Sequence, residues 1–493
     1  MNRFFKTKWS QARRQYVVTD ENHRTTDRKK TVVALAVAAA GLGLGVAQAA
    51  YVTPLAGAAS PEFSGTSASD ATARTTADPA YVETGKLGST KSWETDEYTK
   101  SHALTFINAS QAYAEGYTGK GVLIGIVDSG AELAHTDLSG GRIFGVTASG
   151  TYYHDGDRYP FDQFAGGQAD DKTGEYSKGE AFETNGDWIL GINDAHGTHV
   201  TSVAAGNRNG IGSHGVAFES DVAVGNTGGT DNMNYGPYQD YNYFYAVWDA
   251  VGNTGAKVIN NSWGTNIRVE NDQGVVDSGW HYDVGQVGSE FDFTTGQNGV
   301  EKEYYLFRED AEKAGGKNFM DAAYEVAKKH GLIQIFTNGN RNFQNPYYRA
   351  MYPYFTPDAE QYWIAAGGVD VTADGRLVIM GNDQGVNAGT DNDHGGGGYN
   401  RAGVAKWWTI TAPTNVWGAS IDADTGAIDG DGNADKSSNG WGNAGGTSNA
   451  APHIAGAMGV LMGRYTYLTP TQVRDVMFTT ASNTDGQEGL LEE

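Results

Sequence analysis

Cysteine is absent from this 493-residue chain, which excludes disulfides, thiol catalysis and zinc–thiolate sites. The absence does not decide the compartment, since a cytosolic protein can have the same composition. Basic residues are also scarce: 35 Lys and Arg stand against 59 Asp and Glu, a formal net charge of -24. This charge argues against nucleic acid as the main partner.

Glycine, by contrast, is abundant, with 69 residues spread along the chain rather than confined to one linker. This distribution favours a globular fold with many tight turns over a coiled or fibrous one. The length suffices for one large domain with appendages, or for two to three domains.

Residues 31–50 form an uncharged apolar stretch after the basic cluster Arg28-Lys29-Lys30. The stretch ends in Ala47-Gln48-Ala49, a small-residue pattern typical of a signal-peptide cleavage site. A retained membrane anchor is the alternative, since the stretch is nearly long enough to span a bilayer. Glycine and alanine dominate its second half and favour cleavage, so we predict a signal peptide over residues 1–49.

The segment before this apolar stretch is longer than an ordinary signal peptide needs. It resembles the extended signal peptide of bacterial autotransporters and related type V secretion proteins, on the basis of Asn2, Lys6, Trp9, Ala12, Arg13 and Tyr16-Val17-Val18. The resemblance implies export from a Gram-negative-type bacterium to the cell surface or the extracellular space.

Residues 50–93 are rich in Ala, Ser, Thr and Gly, which predicts a flexible spacer or short pro-segment. Beyond them, short apolar runs typical of buried strands alternate with helical patterns. The apolar runs are 121–127, 221–225, 256–263 and 332–336, the helical patterns include 195–205 and 320–331, and long insertions cover 145–190, 228–245 and 266–316. The alternation predicts an α/β fold with a mostly parallel, doubly wound sheet over residues 94–485, before a short tail at 486–493.

Three short segments carry candidate catalytic residues. Asp128 follows a buried strand, where an aspartate that forms a turn is the commoner alternative. His196 and His199 lie at a helix start; the alternatives are helix-face histidines or a metal pair, although the H-E-x-x-H spacing of metalloproteases is absent. Ser448 precedes a helix with Pro452 expected in its first turn, so Ser448 taken alone is best interpreted as a helix cap.

Aspartate, histidine and serine together can activate a serine hydroxyl as a nucleophile. A serine hydroxyl is a poor nucleophile at neutral pH and needs a base within hydrogen-bond reach. That base needs a third group, which holds its tautomer and stabilises the imidazolium. Each of the three candidates follows a strand or begins a helix, so we expect them to meet at one edge of the sheet.

The three segments resemble the motifs of subtilisin-family serine proteases, in the family's order of Asp, then His, then Ser. The matching residues are Asp128-Ser129-Gly130, the run 196–200 and the run 446–453. The resemblance extends from about residue 107 to residue 481 and implies a subtilisin-like three-layer fold. It also implies that Asp128, His196 and Ser448 form the catalytic triad, and that His199 is structural.

The resemblance also indicates an oxyanion hole and a substrate-binding segment. A serine N–H at a helix start is one donor, and a side-chain amide in a Gly-Asn pair is the usual second donor in this family. Asn338 and Asn340 are both present, and the pair Gly339-Asn340 favours Asn340. The family's substrate-lining segment resembles Ser262-Trp263-Gly264, and Gly339 is a further substrate-binding candidate. The Trp263 side chain either shapes a subsite or packs in the core.

Metal binding is a weaker prediction. Asp429, Asp431, Asn433 and Asp435 alternate like the start of a calcium loop. The expected glycine is replaced by Ala434 and the expected glutamate by Gly440, so a solvated acidic loop is the favoured interpretation. The glycine run at 393–400 lacks the Lys-Ser/Thr of a phosphate loop and is interpreted as a turn. Catalysis of this kind requires no cofactor.

Two stretches, 107–122 and 400–414, resemble the protease passengers of serine-protease autotransporters, which carry a C-terminal outer-membrane barrel. Too few residues follow Ser448 for the eight strands of about ten residues that a barrel requires. The sequence is therefore interpreted as a fragment or a shortened relative, with the membrane involved only through export or through that missing barrel.

The main functional hypothesis is an exported, monomeric serine endopeptidase that cleaves proteins or peptides, including a maturation protease for neighbouring secreted proteins. The alternative is a catalytically silent scaffold that acts as an adhesin or binding passenger. The intact set of Asp128, His196, Ser448 and Asn340 argues against the silent scaffold.

Overall fold

The computed structural model describes residues 5–10, 15–20, 85–157, 175–189, 193, 195–228, 240–263, 269–270, 276–277, 316–340, 345–371, 377–378, 399–421 and 440–481. The chain divides into two units, Met1–Ala58 and Ala59–Glu493. In the first unit, strand β1 (Phe5–Ser10) pairs antiparallel with strand β2 (Gln15–Asp20).

The second unit contains the remaining helices and strands. Its α-helices are α1 (Asp96–Lys100), α2 (His102–Phe106), α3 (Ala109–Ala114), α4 (His196–Ala205), α5 (Tyr241–Asn253), α6 (Phe319–His330), α7 (Tyr348–Phe355), α8 (Thr447–Arg464) and α9 (Pro470–Thr480). Its strands are β3 (Leu123–Asp128), β4 (Ile143–Gly145), β5 (Thr147–Thr151), β6 (Gly156–Asp157), β7 (Glu175–Tyr176), β8 (Ala181–Asn185), β9 (Asp221–Asn226), β10 (Val258–Asn261), β11 (Val269–Glu270), β12 (Val276–Asp277), β13 (Ile333–Thr337), β14 (Trp363–Val371), β15 (Leu377–Val378), β16 (Thr409–Pro413), β17 (Val416–Ser420) and β18 (Gly440–Ala444).

A mostly parallel sheet is the centre of this unit. Its strand order is β4-β9-β3-β10-β13-β14-β16, with every neighbouring pair parallel, and β15 adds an antiparallel pairing to β14. The chain places β4 and β9 on one side of β3 and then crosses to β10 on the other side. The winding therefore reverses at β3, and ligands bind at the carboxyl ends of strands beside such a reversal. The predicted α/β class with a doubly wound sheet is confirmed.

Helices cover both faces of the sheet because its strands are apolar on both faces. Ile333 and Ile335 of β13 belong to one buried cluster, together with residues of α4 and α8. Leu332 and Phe336 belong to the other, together with residues of α5 and α6. Successive side chains of a strand point to opposite faces, so one short apolar run supplies two hydrophobic layers.

Local signals set the helix limits close to the predicted ones. For the helical pattern at 320–331, the structure has α6, which begins with a capping box at Asn318. The helix ends at Gly331, whose φ of 62° is a left-handed conformation that glycine adopts without steric strain. The four predicted strands are present as β3, β9, β10 and β13, each within a few residues of its apolar run.

Three details differ from the predictions. Residues 85–93, predicted to lie in a flexible spacer, pack on the domain: the Gly88 N–H donates to the Ala114 carbonyl at 2.8 Å and the Trp93 side chain is buried. Pro452 lies in the second turn of α8 rather than the first, because the helix begins at Thr447. Strands β14 and β16 were not predicted, since alanine, glycine and threonine give them a weak apolar signal.

Several histidines are buried as neutral groups, and they make folding sensitive to acid. Burial lowers the pKa of His102, His135, His199 and His453 to about 4. Both nitrogens of the neutral His135 ring are hydrogen-bonded: Nε2–H donates to the Gly440 carbonyl at 2.8 Å, and Nδ1 accepts the Asp137 N–H at 3.0 Å. Protonation of Nδ1 would remove that acceptor.

We therefore expect the free energy of unfolding to fall as the pH decreases from about 6.5 to 4, because the unfolded chain binds these protons first. Each histidine contributes a loss of at most about 3 kcal/mol. Burial raises the pKa of Asp137, and of Glu360 to about 7, and these carboxyls oppose the loss. Urea unfolding at several pH values measures how steeply the free energy of unfolding depends on pH. The variant His135→Gln is expected to have a shallower slope, and an unchanged slope would contradict the assignment.

Candidate active site

The site lies where the central strands of the sheet end. Asp128 is the last residue of β3, Ser262 follows β10, and Asn340 follows β13 by three residues. These strands are neighbours in the order β13-β10-β3, so their carboxyl ends share one edge of the sheet. His196 begins α4 and Ser448 is the second residue of α8.

Asp128 and His196 form a direct pair. His196 Nδ1 lies 2.8 Å from Asp128 Oδ1, and the Ser129 N–H donates to the same oxygen at 2.8 Å. The Asp128 side chain is fully buried, whereas the His196 side chain is 22 % exposed. Since the carboxylate can only accept, Nδ1 carries the proton, and Nε2 of the neutral ring is an acceptor.

Gly197 allows helix α4 to approach the loop after Asp128. A Cβ atom at this position would lie 2.1 Å from the Gly130 carbonyl oxygen and 3.2 Å from Asp128 Cβ. Only glycine fits at such a distance. The Gly197 N–H donates to Ser129 Oγ at 3.0 Å, which ties the helix start to the same loop.

The second histidine of the segment is located elsewhere. His199 is buried, and its Nδ1 donates to the Ala419 carbonyl at 3.0 Å. Burial lowers its pKa to about 4, so the ring stays neutral near neutral pH. His199 therefore contributes to packing between α4 and β17, and the two histidines do not form a metal pair.

Ser448 does not cap its helix. The N-cap of α8 is Gly446, which has no side chain to accept a hydrogen bond from the first turn. The Ser448 hydroxyl instead donates to the Ser262 carbonyl at 2.9 Å, and the Ser262 hydroxyl donates to the Ser448 carbonyl at 2.8 Å. These reciprocal bonds join the start of α8 to the end of β10.

Asn340 lies against the same helix start. Its Oδ1 accepts the Thr447 N–H at 2.9 Å and the Thr447 hydroxyl at 2.8 Å, which leaves Nδ2 as the donor. Gly446 has a φ of 86°, and a Cβ atom there would lie 2.9 Å from Asn340 Nδ2. The glycine therefore gives the amide access to the space beside Ser448.

The predicted substrate-binding residues have different environments. The Trp263 ring is buried, with its centroid 5.1 Å from that of Phe244, and its Nε1–H donates to the Val127 carbonyl at 2.7 Å. Of the two alternatives for this side chain, the structure supports core packing. Gly339 is buried with a φ of 110°, and its N–H donates to Thr447 Oγ1 at 3.2 Å, whereas Gly264 lies outside the described residues.

Sequence reasoning missed two residues of the site. Thr447 holds Asn340, but in the sequence it is only the threonine of the Gly-Thr-Ser motif. Asn260 lies in the middle of β10, and its Nδ2 donates to Ser262 Oγ at 2.9 Å. The only signal for Asn260 was a polar residue within an apolar run.

The remaining predictions concern metals and membranes. The calcium candidates Asp429, Asp431, Asn433 and Asp435 lie outside the described residues. Within the part of the chain that the structure describes, no three acidic, histidine or cysteine side chains are grouped to hold a metal ion. No helix among the described residues is long and apolar enough to cross a membrane.

The geometry agrees with the sequence comparisons. The model of the subtilase family matches residues 119–493. The chain belongs to the subtilase family. Residues 1–50 of this subtilase match the extended signal peptide of type V secretion systems, so the chain carries a signal for export.

Relatives of this subtilase include exported bacterial proteases. It is 29 % identical over 425 residues to an extracellular serine protease of Serratia marcescens, covering 82 % of this chain and 33 % of that protein. It is 23 % identical over 387 residues to the autotransporter lipoprotein NalP of Neisseria meningitidis, covering 76 % of this chain and 32 % of that protein. The chain thus spans about a third of the length of these relatives.

The matches among solved structures are more distant. The nisin leader peptidase NisP of Lactococcus lactis has a TM-score of 0.44 and 18 % identity, with 79 % of this subtilase and 91 % of that chain covered. Fervidolysin of Fervidobacterium pennivorans has a TM-score of 0.43 and 18 % identity, with 80 % of this subtilase and 44 % of that chain covered.

Proposed function

We propose that this subtilase is an exported serine endopeptidase that hydrolyses peptide bonds through an acyl-enzyme. The observation that carries the proposal is the 2.8 Å contact between His196 Nδ1 and Asp128 Oδ1, at the sheet edge where Ser448 lies in the first turn of α8. A buried carboxylate bonded to Nδ1 orients the ring and stabilises the imidazolium that forms when Nε2 takes a proton.

The reaction begins when the Ser448 hydroxyl turns from the Ser262 carbonyl towards His196. Nε2 takes the hydroxyl proton as Ser448 Oγ attacks the scissile carbonyl, and the carbonyl oxygen becomes an oxyanion. The Ser448 N–H at the helix start and Asn340 Nδ2 donate to this oxyanion. His196 then protonates the leaving amine, and a water molecule activated by the same ring hydrolyses the ester. No step requires a cofactor.

The substrate is a protein or peptide in an extended conformation. We propose that it pairs by main-chain hydrogen bonds with the backbone beside Ser262 and Gly339. Export and similarity to autotransporter proteases support the role of a protease passenger that acts at or beyond the cell surface, and we propose that this passenger acts as a monomer. A calcium site at 429–435 stays a weaker proposal.

A fluorophosphonate probe tests the assignment, because it phosphonylates only a serine that a base activates. We expect the purified folded protein to be labelled and to cleave casein, and we expect Ser448→Ala to show neither property. A folded wild-type protein that remains unlabelled would favour the silent scaffold. Circular dichroism of both proteins confirms that they are folded.

A further inference from the structure

Asn260 is a buried amide that the reaction described above does not use. It lies in β10 opposite Ile126 of β3 and Ile335 of β13, and its exposed fraction is 0 %. An amide buried without hydrogen bonds destabilises the folded state, whereas an aliphatic side chain at such a place is stabilising. The presence of an amide here therefore requires a reason.

The neighbouring amide, Asn261, has a purely structural role. Its Oδ1 accepts the Trp248 Nε1–H at 2.7 Å, and its Nδ2 donates to Gln334 Oε1 at 2.9 Å. Its partners thus lie within the core and the sheet. Asn260 Nδ2 instead donates to Ser262 Oγ at 2.9 Å, and among the described residues its Oδ1 has no hydrogen-bond partner. The Asn260 amide acts through its donor alone.

This donor fixes the direction of the next hydrogen bond. Ser262 Oγ lies 2.8 Å from the Ser448 carbonyl oxygen, which can only accept. The single proton of the Ser262 hydroxyl must therefore point at Ser448, and the atom that faces the hydroxyl from Asn260 must be a donor. The chain of hydrogen bonds runs in one direction, from Asn260 through Ser262 to the Ser448 backbone.

The Ser448 carbonyl depends on this bond because of Pro452. In a helix, the carbonyl of residue i accepts the N–H of residue i+4. Pro452 is that residue for Ser448, and proline has no N–H. Without the Ser262 hydroxyl, the Ser448 carbonyl would have no hydrogen-bond donor from Ser262. The first turn of α8 would then lose this hydrogen bond to the end of β10.

We propose that Asn260 is a positioning residue that acts through Ser262 to hold the Ser448 backbone. It thereby sets both the Ser448 hydroxyl and the Ser448 N–H relative to His196. The inference rests on the proposed function, since it assigns a role within the same reaction. It predicts an effect on the chemical step and not on substrate binding.

A double-mutant cycle tests the proposal with Asn260→Ala, Ser262→Ala and the double variant. Each single change is expected to lower kcat about tenfold with little change in KM, because each removes one hydrogen bond from the chain. The rate of fluorophosphonate labelling is expected to fall equally. In the Ser262→Ala background, Asn260→Ala should have no further effect, since its target is gone.

Asn261→Ala is the matched control, an equally buried amide one residue along. In the double variant of Asn261→Ala and Ser262→Ala, the two fold-changes in kcat are expected to multiply, because the two residues act independently. Independent effects of Asn260→Ala and Ser262→Ala would overturn the proposal, as would wild-type kcat in folded Asn260→Ala. If Asn260→Ala does not fold, Asn260→Leu keeps about the same volume and has no donor, and wild-type kcat in that variant would be equally decisive. An unlabelled wild-type protein would instead refute the proposed function itself.

Discussion

His196→Ala is expected to lower kcat by about 10⁶-fold, the size of effect known for removal of the triad base in related proteases. The physical reason is that the ring paired with Asp128 at 2.8 Å supplies the only proposed acceptor for the Ser448 proton. The Asp128 carboxylate keeps the Ser129 N–H at 2.8 Å and the His196 side chain is 22 % exposed, so the fall in melting temperature is expected to be smaller than for a fully buried histidine. Peptide hydrolysis and thermal unfolding measure the two quantities on the same sample.

His199→Ala is the matched control, three residues later on the same helix. Its ring is buried and donates to the Ala419 carbonyl at 3.0 Å, so truncation leaves a cavity and an acceptor without a donor. We expect a lower melting temperature and an unchanged kcat per folded molecule. If both variants lost activity to the same extent, the division of roles between the two histidines would be wrong.

Asn340→Asp is expected to lower kcat by at least about 10²–10³-fold, with a much smaller change in KM. The carboxylate keeps an oxygen for the Thr447 N–H and hydroxyl, which bond Asn340 Oδ1 at 2.9 and 2.8 Å. It loses the Nδ2 donor and places a negative charge where the oxyanion forms. Because the contact with Thr447 is preserved, the loss reports on the donor and not on a displaced loop.

Asn338→Leu provides the comparison, since it changes an asparagine two residues earlier in the chain. This amide is buried, and neither its oxygen nor its nitrogen has a hydrogen-bond partner among the described residues. An apolar side chain of similar size removes the cost of burying an amide without hydrogen bonds. We therefore expect kcat to be retained and the free energy of unfolding to be equal or higher. Steady-state kinetics that showed equal losses for both variants would exclude Asn340 as the specific donor.

Much of the fold could be predicted because its signals are local. Runs such as 332–336 are apolar without interruption, and Gly331 marks the end of α6 whatever surrounds it. Two of the strands that were missed, β14 and β16, are built largely from small residues whose burial depends on neighbouring strands. Residues 85–93 have a linker-like composition, and their contacts with α3 and with Phe218 become apparent only in the tertiary structure.

The order of Asp128, His196 and Ser448, the amide pair at 338–340 and the export signal follow from the sequence by itself, because residue type and spacing carry them. The tertiary structure decided the rest. It determined that the Ser448 hydroxyl bonds Ser262 instead of capping α8, that the Trp263 ring packs in the core, and that Asn260 faces the site. The physical reason is that a hydrogen bond depends on both partners, and strand ends far apart in the chain meet only when the sheet forms.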